Sequence, residues 1–231
     1  PAETPALDAI AASSNIQERI KTPDLPVLAQ VFQFSAGITK RRIYPGGEML
    51  FRAAACTGAL YHIDLYLVCD DVRSTPQLSA GIYHFGPHDF SLHRLRAGNY
   101  REVLYRAAGN EASIGDAPAV LVFADTFWRN SWKYQTRAYR HSFWDTGTIM
   151  ANLLSVCEAL GLPAKLVLGF VDETVNRLLD LDPSHEAALA MIALGAEALE
   201  SLRPSPEFSP LGLQTTPLSE TEIEYPGIHE M

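Results

Sequence analysis

Apolar spacing predicts two core helices in this chain. One series predicts a helix over residues 23–36, capped by Thr22, with these residues on one face: Leu25, Leu28, Val31 and Phe32. A second series, from Ile149 to Leu160, predicts a long buried helix that ends at Gly161. Asn99 and Glu102 also match a capping box, which predicts a shorter helix that ends near residue 109.

Other apolar stretches predict strands. Residues 63–69 alternate in polarity, as expected for a strand with one partly polar face. Residues 117–127 are mostly continuously apolar, as expected for a strand buried on both faces. Residues 81–85 and 90–95 flank a Gly-Pro-His-Asp turn, which predicts a hairpin.

The carboxyl-terminal half continues this mixture. Residues 164–170 predict a strand, and Asp172 predicts the start of a helix that ends at Leu179. Residues 187–195 favour a final strand over a helix, which stays open as the alternative.

The pattern predicts one domain with two tails. Residues 1–21 have little patterning and read as a lead-in, residues 22–202 form the domain, and the prolines of residues 203–231 predict an extended arm or linker. Because the chain of 231 residues does not begin with Met, we interpret it as a piece of a longer protein.

Composition narrows the possible partners and location. The hydrophobic fraction of 47% supports one sizeable core, and the net charge of −9 argues against a nucleic-acid or anionic-membrane surface. Cys56, Cys69 and Cys157 lie in apolar settings at unrelated spacings, which favours reduced thiols. With no apolar run of membrane-spanning length, we expect a cytoplasmic protein.

Small residues predict a ligand-binding loop before the first strand of the core. Residues 52–68 read RAAACTGALYHIDLYLV, so a loop of small side chains opens a helical turn and then a strand. Such a backbone can approach a flat or phosphorylated ligand closely, and we call residues 52–58 the cradle. Before it, residues 40–47 predict a basic loop, favoured as a solvated charge run over a phosphate site.

Several motifs in order resemble the SagB-type dehydrogenases of the FMN-dependent nitroreductase superfamily. The cradle and strand resemble that family's signature loop, and further matches follow over about residues 22–195: GIYHF, WKYQTRAYRH, DTGTIMANLL, LGLPAKLVLGF and LLDLD. The resemblance implies an α+β fold in which helices sandwich a central, mostly antiparallel sheet. It also implies FMN as cofactor and a flavin site at the interface of a homodimer or of two fused copies.

The resemblance adds roles to particular residues. From chemistry, Arg52 and the backbone of the four residues Ala55, Cys56, Thr57 and Gly58 can hold a phosphate or offer donors to a flavin ring. By resemblance, Leu168 and Gly169 lie against the flavin, with Asn152 behind them. Composition favours a structural stacking role for the cations of residues 128–141, whereas the resemblance implies that Lys133 and Tyr134 transfer substrate protons.

The chain also departs from the family pattern. The expected Pro-Ser of the cradle is Ala55-Cys56, and the later Pro and Glu are His62 and Asp64. The family's phosphate-binding arginine segment has no counterpart in residues 1–21 except the isolated Arg19.

Two other kinds of site remain possible at this stage. Cys56, His62 and Asp64 include the residue types of a thiol nucleophile, its base and an orienting carboxylate. A metal cluster could be formed by residues of the predicted hairpin, namely His84, His88, Asp89 and His93, although exposed polar positions are the favoured interpretation and no metal site is predicted.

The favoured function is an FMN-dependent oxidoreductase of the SagB class that acts on a small molecule or peptide. The alternatives are a nicotinamide-dependent nitro or quinone reductase and a flavin-free half that supports an active partner. The sequence does not specify the substrate or the electron donor or acceptor.

Overall fold

The computed structural model describes residues 4–11, 20–72, 76–196, 202–213 and 216–229. Within these residues, the strands are β1 (Ile38–Tyr44), β2 (Gly47–Arg52), β3 (Ile63–Cys69), β4 (Gly81–Gly86), β5 (Ser91–Ala97), β6 (Ala119–Thr126), β7 (Ala164–Val167) and β8 (Glu186–Leu194). The helices are α1 (Ala6–Ala11), α2 (Leu25–Ser35), α3 (Arg101–Ala107), α4 (Ala112–Asp116), α5 (Trp128–Tyr134), α6 (Ala138–Leu160), α7 (Asp172–Leu179) and α8 (Pro226–His229). Arg19 lies outside the described residues.

One antiparallel sheet forms the centre of the fold. Its strand order is β5-β4-β3-β6-β8-β7, and each neighbouring pair is antiparallel. Hydrogen bonding to both β6 and β7 decides that the apolar segment at residues 187–195 is a strand and not the alternative helix. β6 is buried along its whole length, as predicted.

Two helical layers cover the sheet. On one face, α2 and α6 pack against β3 through apolar side chains that include Phe32, Leu65, Leu67 and Leu153. On the other face, α3, α4 and α7 form a second core with the remaining side chains of β3 and β6, including Val68, Leu104, Ile114, Val122 and Val175. The predicted α+β sandwich is therefore confirmed.

The observed caps of α2 and α3 differ from the predicted ones. The cap of α2 is Asp24 and not Thr22, since the Asp24 carboxylate accepts a hydrogen bond of 2.8 Å from the Val27 amide. At α3 the cap residue is Tyr100 and the predicted box does not form. Glu102, in the first turn of α3, instead accepts hydrogen bonds from the Arg106 side chain and from the backbone amide of Ser205 in the arm.

The predicted basic loop is a β-hairpin. Residues 40–42 lie in β1, which pairs with β2 through a turn at residues 45–46, and Arg41 forms an ion pair with Glu48. The charged residues therefore lie in an exposed strand and not in a loop. Pairing with β2 provides hydrogen bonds for the backbone, while the charged side chains reach water.

The described part of the proline-rich arm follows the surface of its own chain. Its described residues include one short helix, α8, which begins at Pro226, and otherwise form no regular structure. Arg96 donates to the Ser209 carbonyl over 2.8 Å, and Tyr100 contacts Phe208 edge to face. Within the described ranges, none of the helices combines the length and apolar composition that crossing a bilayer requires.

One end of the central sheet holds most of the predicted site residues. β3 and β8 begin there and β6 ends there, as the pairings of Ile63 with Asp125 and of Thr126 with Glu186 show. β7 runs toward the same end, because it is antiparallel to β8. We call this the cradle end of the sheet.

Candidate active site

The cradle presents its backbone at the surface of the chain. It follows β2 and closes in a 3-10 turn over Thr57–Ala59, where Gly58 has a left-handed φ of 66°. Ala55 and Gly58 are exposed. Within the described residues, the amides of Ala55 and Cys56 meet no protein acceptor, so they can donate to a ligand.

Lys133 and Tyr134 lie directly against the cradle. A Cβ atom added to Gly58 would lie 2.7 Å from the Tyr134 hydroxyl and 3.3 Å from Lys133 Nζ. Lys133 Nζ also lies 5.4 Å from the centre of the Tyr134 ring, and the lysine side chain is exposed. The tertiary structure thus brings the two predicted proton-transfer residues together with the predicted flavin-binding loop.

Tyr134 is positioned by a second layer of side chains. Its ring contacts His141 edge to face at 4.6 Å between centroids, and His141 Nδ1 lies 2.8 Å from the Asn130 side-chain oxygen. Burial lowers the pKa of His141, and the nearby Arg137 acts in the same direction, against the opposite effect of Asp145. These contacts hold the Tyr134 ring while its hydroxyl reaches Gly58.

α6 fastens the cradle to the core. Its Asp145 accepts hydrogen bonds from the Thr57 amide at 2.8 Å and the Thr57 hydroxyl at 2.9 Å. One turn later, the Thr148 hydroxyl donates to the Ala55 carbonyl over 2.7 Å. Asn152 follows Thr148 by one further turn and is partly buried.

Cys56, His62 and Asp145 form a compact cluster beneath the cradle. One oxygen of Asp145, Oδ2, lies 3.1 Å from Cys56 Sγ and 2.9 Å from His62 Nε2. The Tyr61 amide donates to the same sulfur over 3.1 Å. Sequence reasoning missed Asp145, although a lone carboxylate on an otherwise buried helical face was a usable signal.

His62 lies between two carboxylates. Its Nδ1 is 2.6 Å from Asp125 Oδ1, on the side opposite Asp145, and the imidazole is fully buried. Burial opposes the charged form, but the hydrogen bonds with Asp125 and Asp145 outweigh it and raise the pKa of His62 to about 11. The charged form of His62 is therefore favoured, because it neutralises part of the charge of the two carboxylates.

Asp64 does not orient His62, so that part of the thiol-nucleophile alternative is wrong. Its Oδ2 accepts hydrogen bonds from Arg129 at 2.6 Å and Thr126 at 3.2 Å. Asp64 is buried although β3 was predicted to have a partly polar face, because these partners cover it. The carboxylates that contact His62 come from β6 and α6.

Arg52 lies at the rim of the cradle. Its guanidinium stacks on Tyr61 at 5.1 Å from the ring centre and donates to the Ile63 carbonyl over 3.3 Å. Burial lowers the pKa of Arg52 from its ordinary value, against the opposing charge of Asp64. Among the described residues no carboxylate lies at ion-pair distance from Arg52, so part of its positive charge can face an anion.

Leu168 and Gly169 lie beyond the end of β7, toward the cradle end of the sheet. Both are exposed, and a Cβ atom at Gly169 would meet open space. No described contact joins either residue to the cradle within one chain. Their predicted place against a flavin therefore stays a prediction.

The hairpin polar residues do not converge like metal ligands. His93 Nε2 pairs with Asp89 at 3.0 Å, whereas His84 faces Asp64 at 3.6 Å. In the described part of the chain, the group whose donor atoms all lie within 4.8 Å of one another is the one beneath the cradle.

A six-stranded antiparallel sheet between helical layers, with a small-residue loop at its end, is a nitroreductase-like architecture. Residues 27–196 match the Nitroreductase family, and the chain belongs to that family. It is 30% identical over 159 residues to the microcin B17-processing protein McbC of Escherichia coli, across 67% of this chain and 54% of McbC. It is 28% identical over 174 residues to the trifolitoxin-processing protein TfxB of Rhizobium leguminosarum bv. trifolii, across 72% of this chain and 45% of TfxB.

Solved structures agree with this assignment. A nitroreductase-type protein from Anabaena variabilis superposes with a TM-score of 0.72 and 26% identity, over 91% of this chain and 44% of that chain. A chain of the E. coli microcin synthetase McbBCD complex, solved with truncated pro-MccB17 bound, gives a TM-score of 0.60 at 22% identity, over 81% and 73% of the two chains. The resemblance read from the motifs is confirmed, and the chain spans about half the length of McbC and TfxB.

Proposed function

We propose that this chain forms the flavin site of an FMN-dependent oxidoreductase of the SagB-type dehydrogenase class, with a peptide as the favoured substrate. The observation that carries the proposal is the contact of Lys133 and Tyr134 with Gly58. Similarity to microcin- and trifolitoxin-processing proteins supports the choice of substrate. Family membership supports oxidoreductase chemistry.

The residues of the cradle fit a flavin. Three features of the cradle suit the close approach of a flat ring. The amides of Ala55 and Cys56 have no described protein acceptor, Ala55 is exposed, and a Cβ added to Gly58 would obstruct the Tyr134 hydroxyl. The residues that would hold FMN are Arg52, Ala55, Cys56, Thr57 and Gly58, with Asn152, Leu168 and Gly169 as further contacts. A bound flavin supplies hydride transfer.

Lys133 and Tyr134 would transfer the proton that the substrate loses. The Lys133 amine beside the Tyr134 phenol can accept a proton from a substrate held over Gly58, and the phenol can relay it. His141 and Asn130 fix the ring from behind, so the hydroxyl keeps its direction. A partner subunit or fused second copy would cover this open face, and a cytoplasmic location stays a prediction.

The first experiment measures flavin content and the rate of flavin reduction in Lys133→Met. If Lys133 is the base, the variant retains FMN but reduces it at least about a hundredfold more slowly. Tyr134→Phe removes only a hydroxyl and should lower the rate without lowering stability. Arg140→Met, which removes an exposed cation from the same segment, should leave the rate unchanged.

The departures from the family's cradle favour one alternative, a flavin-free half that supports an active partner. Cys56 and His62 replace the expected residues and are tied to Asp145. In that case the purified protein binds no FMN. A flavin-loaded protein whose Lys133→Met variant keeps its full rate would instead overturn the proton-transfer assignment.

A further inference from the structure

The cluster beneath the cradle contains three different metal-binding side chains. Cys56 offers a sulfur, His62 an imidazole nitrogen and Asp145 a carboxylate oxygen, all within 4.8 Å of one another. We propose that these three residues bind one Zn²⁺ ion. Sulfur, nitrogen and oxygen donors together suit zinc, whereas magnesium and calcium prefer oxygen ligands alone.

Two of the three distances between ligand atoms are close to those of a zinc site, and the third, between the sulfur and the imidazole nitrogen, is no more than 4.8 Å. Two ligand atoms of a tetrahedral zinc ion lie about 3.2 to 3.8 Å apart, given the usual zinc-ligand bond lengths. Asp145 Oδ2 lies 3.1 Å from Cys56 Sγ and 2.9 Å from His62 Nε2. Zinc would therefore require outward movements of only a few tenths of an ångström along these two contacts.

The outer contacts already orient the ligands. Asp125 accepts the proton of His62 Nδ1, which points Nε2 toward the sulfur and the Asp145 oxygen. Thr57 holds the other oxygen of Asp145 through its hydroxyl. A carboxylate behind a histidine ligand is a common feature of protein zinc sites.

The site would connect three elements of the fold. Cys56 comes from the cradle, His62 directly precedes β3, and Asp145 lies in α6. Zinc would thus fix the cradle to the core, and Cys56, the partly exposed ligand, leaves a side on which water can complete the coordination. This role does not require flavin.

The test is titration of the metal-free full chain with Co²⁺ and Zn²⁺. We expect one ion per chain, a thiolate-to-cobalt absorption in the difference spectrum that zinc abolishes, and a higher melting temperature with zinc. Cys56→Ser should remove the absorption and weaken zinc binding at least about a hundredfold. Asp125→Asn should weaken binding by about ten- to a hundredfold, because it acts through His62.

His93→Gln is the matched control, because it removes an exposed histidine that also pairs with a carboxylate. It should leave cobalt absorption and zinc affinity unchanged. Absence of a thiolate absorption in the unchanged protein overturns the proposal without any variant. Zinc affinity unaffected by Cys56→Ser and Asp125→Asn, or lost in His93→Gln, overturns it as well.

Discussion

Asp64 is a buried carboxylate whose charged form is stabilised by Arg129, which lies 65 residues later in the sequence. Burial acts to raise its pKa, but the hydrogen bond with His84 and the charge of Arg129 outweigh burial and lower the pKa. Asp64 therefore stabilises the fold above the ordinary aspartate pKa of about 3.9, and this contribution is lost as the pH falls through its lower folded-state value.

Arg129→Met should lower the free energy of unfolding at pH 7 by about 2 kcal/mol, because it leaves Asp64 buried without its closest cation. The difference from the unchanged protein should shrink at pH 3, because without Arg129 the burial of Asp64 favours its protonated form in the variant. Urea unfolding at both pH values measures this effect. Arg140→Met, at an exposed position, is the control, and an equal loss of stability at both pH values would contradict the role of the charge pair.

At the scale of elements, the cradle depends on a glycine for two separate reasons. Gly58 has a φ of 66°, which disfavours other residues, and it lies against the Tyr134 hydroxyl. Gly109, which follows α3, has nearly the same φ, 65°, but no atom within 4 Å of the position of a Cβ. The pair separates backbone strain from crowding.

Gly58→Ala should destabilise the protein by about 2 to 3 kcal/mol, and Gly109→Ala by about 1 kcal/mol. Adding Tyr134→Phe to Gly58→Ala should recover part of the loss, since it removes the nearest atom. Thermal unfolding of the two single variants and the double variant measures the coupling. Equal losses at the two glycines would show that crowding against Tyr134 contributes nothing.

At the scale of the whole molecule, the cradle end of one chain is open. Large apolar side chains are exposed on α6 and beyond β7, with exposed fractions of 46% for Phe143, 52% for Trp144 and 63% for Leu168. A flavin bound tightly needs more of its surface covered than such an open face provides. We therefore expect a homodimer, or a fused second copy, to complete the site.

Dilution should accordingly release FMN as the dimer dissociates, with sedimentation and flavin fluorescence changing over the same concentration range. Trp144→Glu should shift both transitions to higher protein concentration. Phe90→Glu, which alters a 43% exposed aromatic in the turn between β4 and β5, should change neither. A stable monomer that retains FMN at low concentration would exclude the interface site.

The sequence by itself determined most of the architecture. Apolar patterns and turn residues are local properties. The first identified the buried strand β6, and the second identified the hairpin of β4 and β5 and the end of α6 at Gly161. Ordered motifs identified the family and pointed to the cradle with Lys133 and Tyr134. The predicted domain limits and site roles remain predictions.

The tertiary structure decided which distant side chains meet. Asp125 and Asp145 contact His62 across separations of 63 and 83 residues, and Arg129 pairs with Asp64 across 65. Periodicity assigns a residue to a face, but which buried polar groups pair depends on how α6 and β6 dock beside β3. For the same reason, the sequence did not reveal that Glu102 accepts a hydrogen bond from the Ser205 amide of the arm instead of forming the predicted capping box.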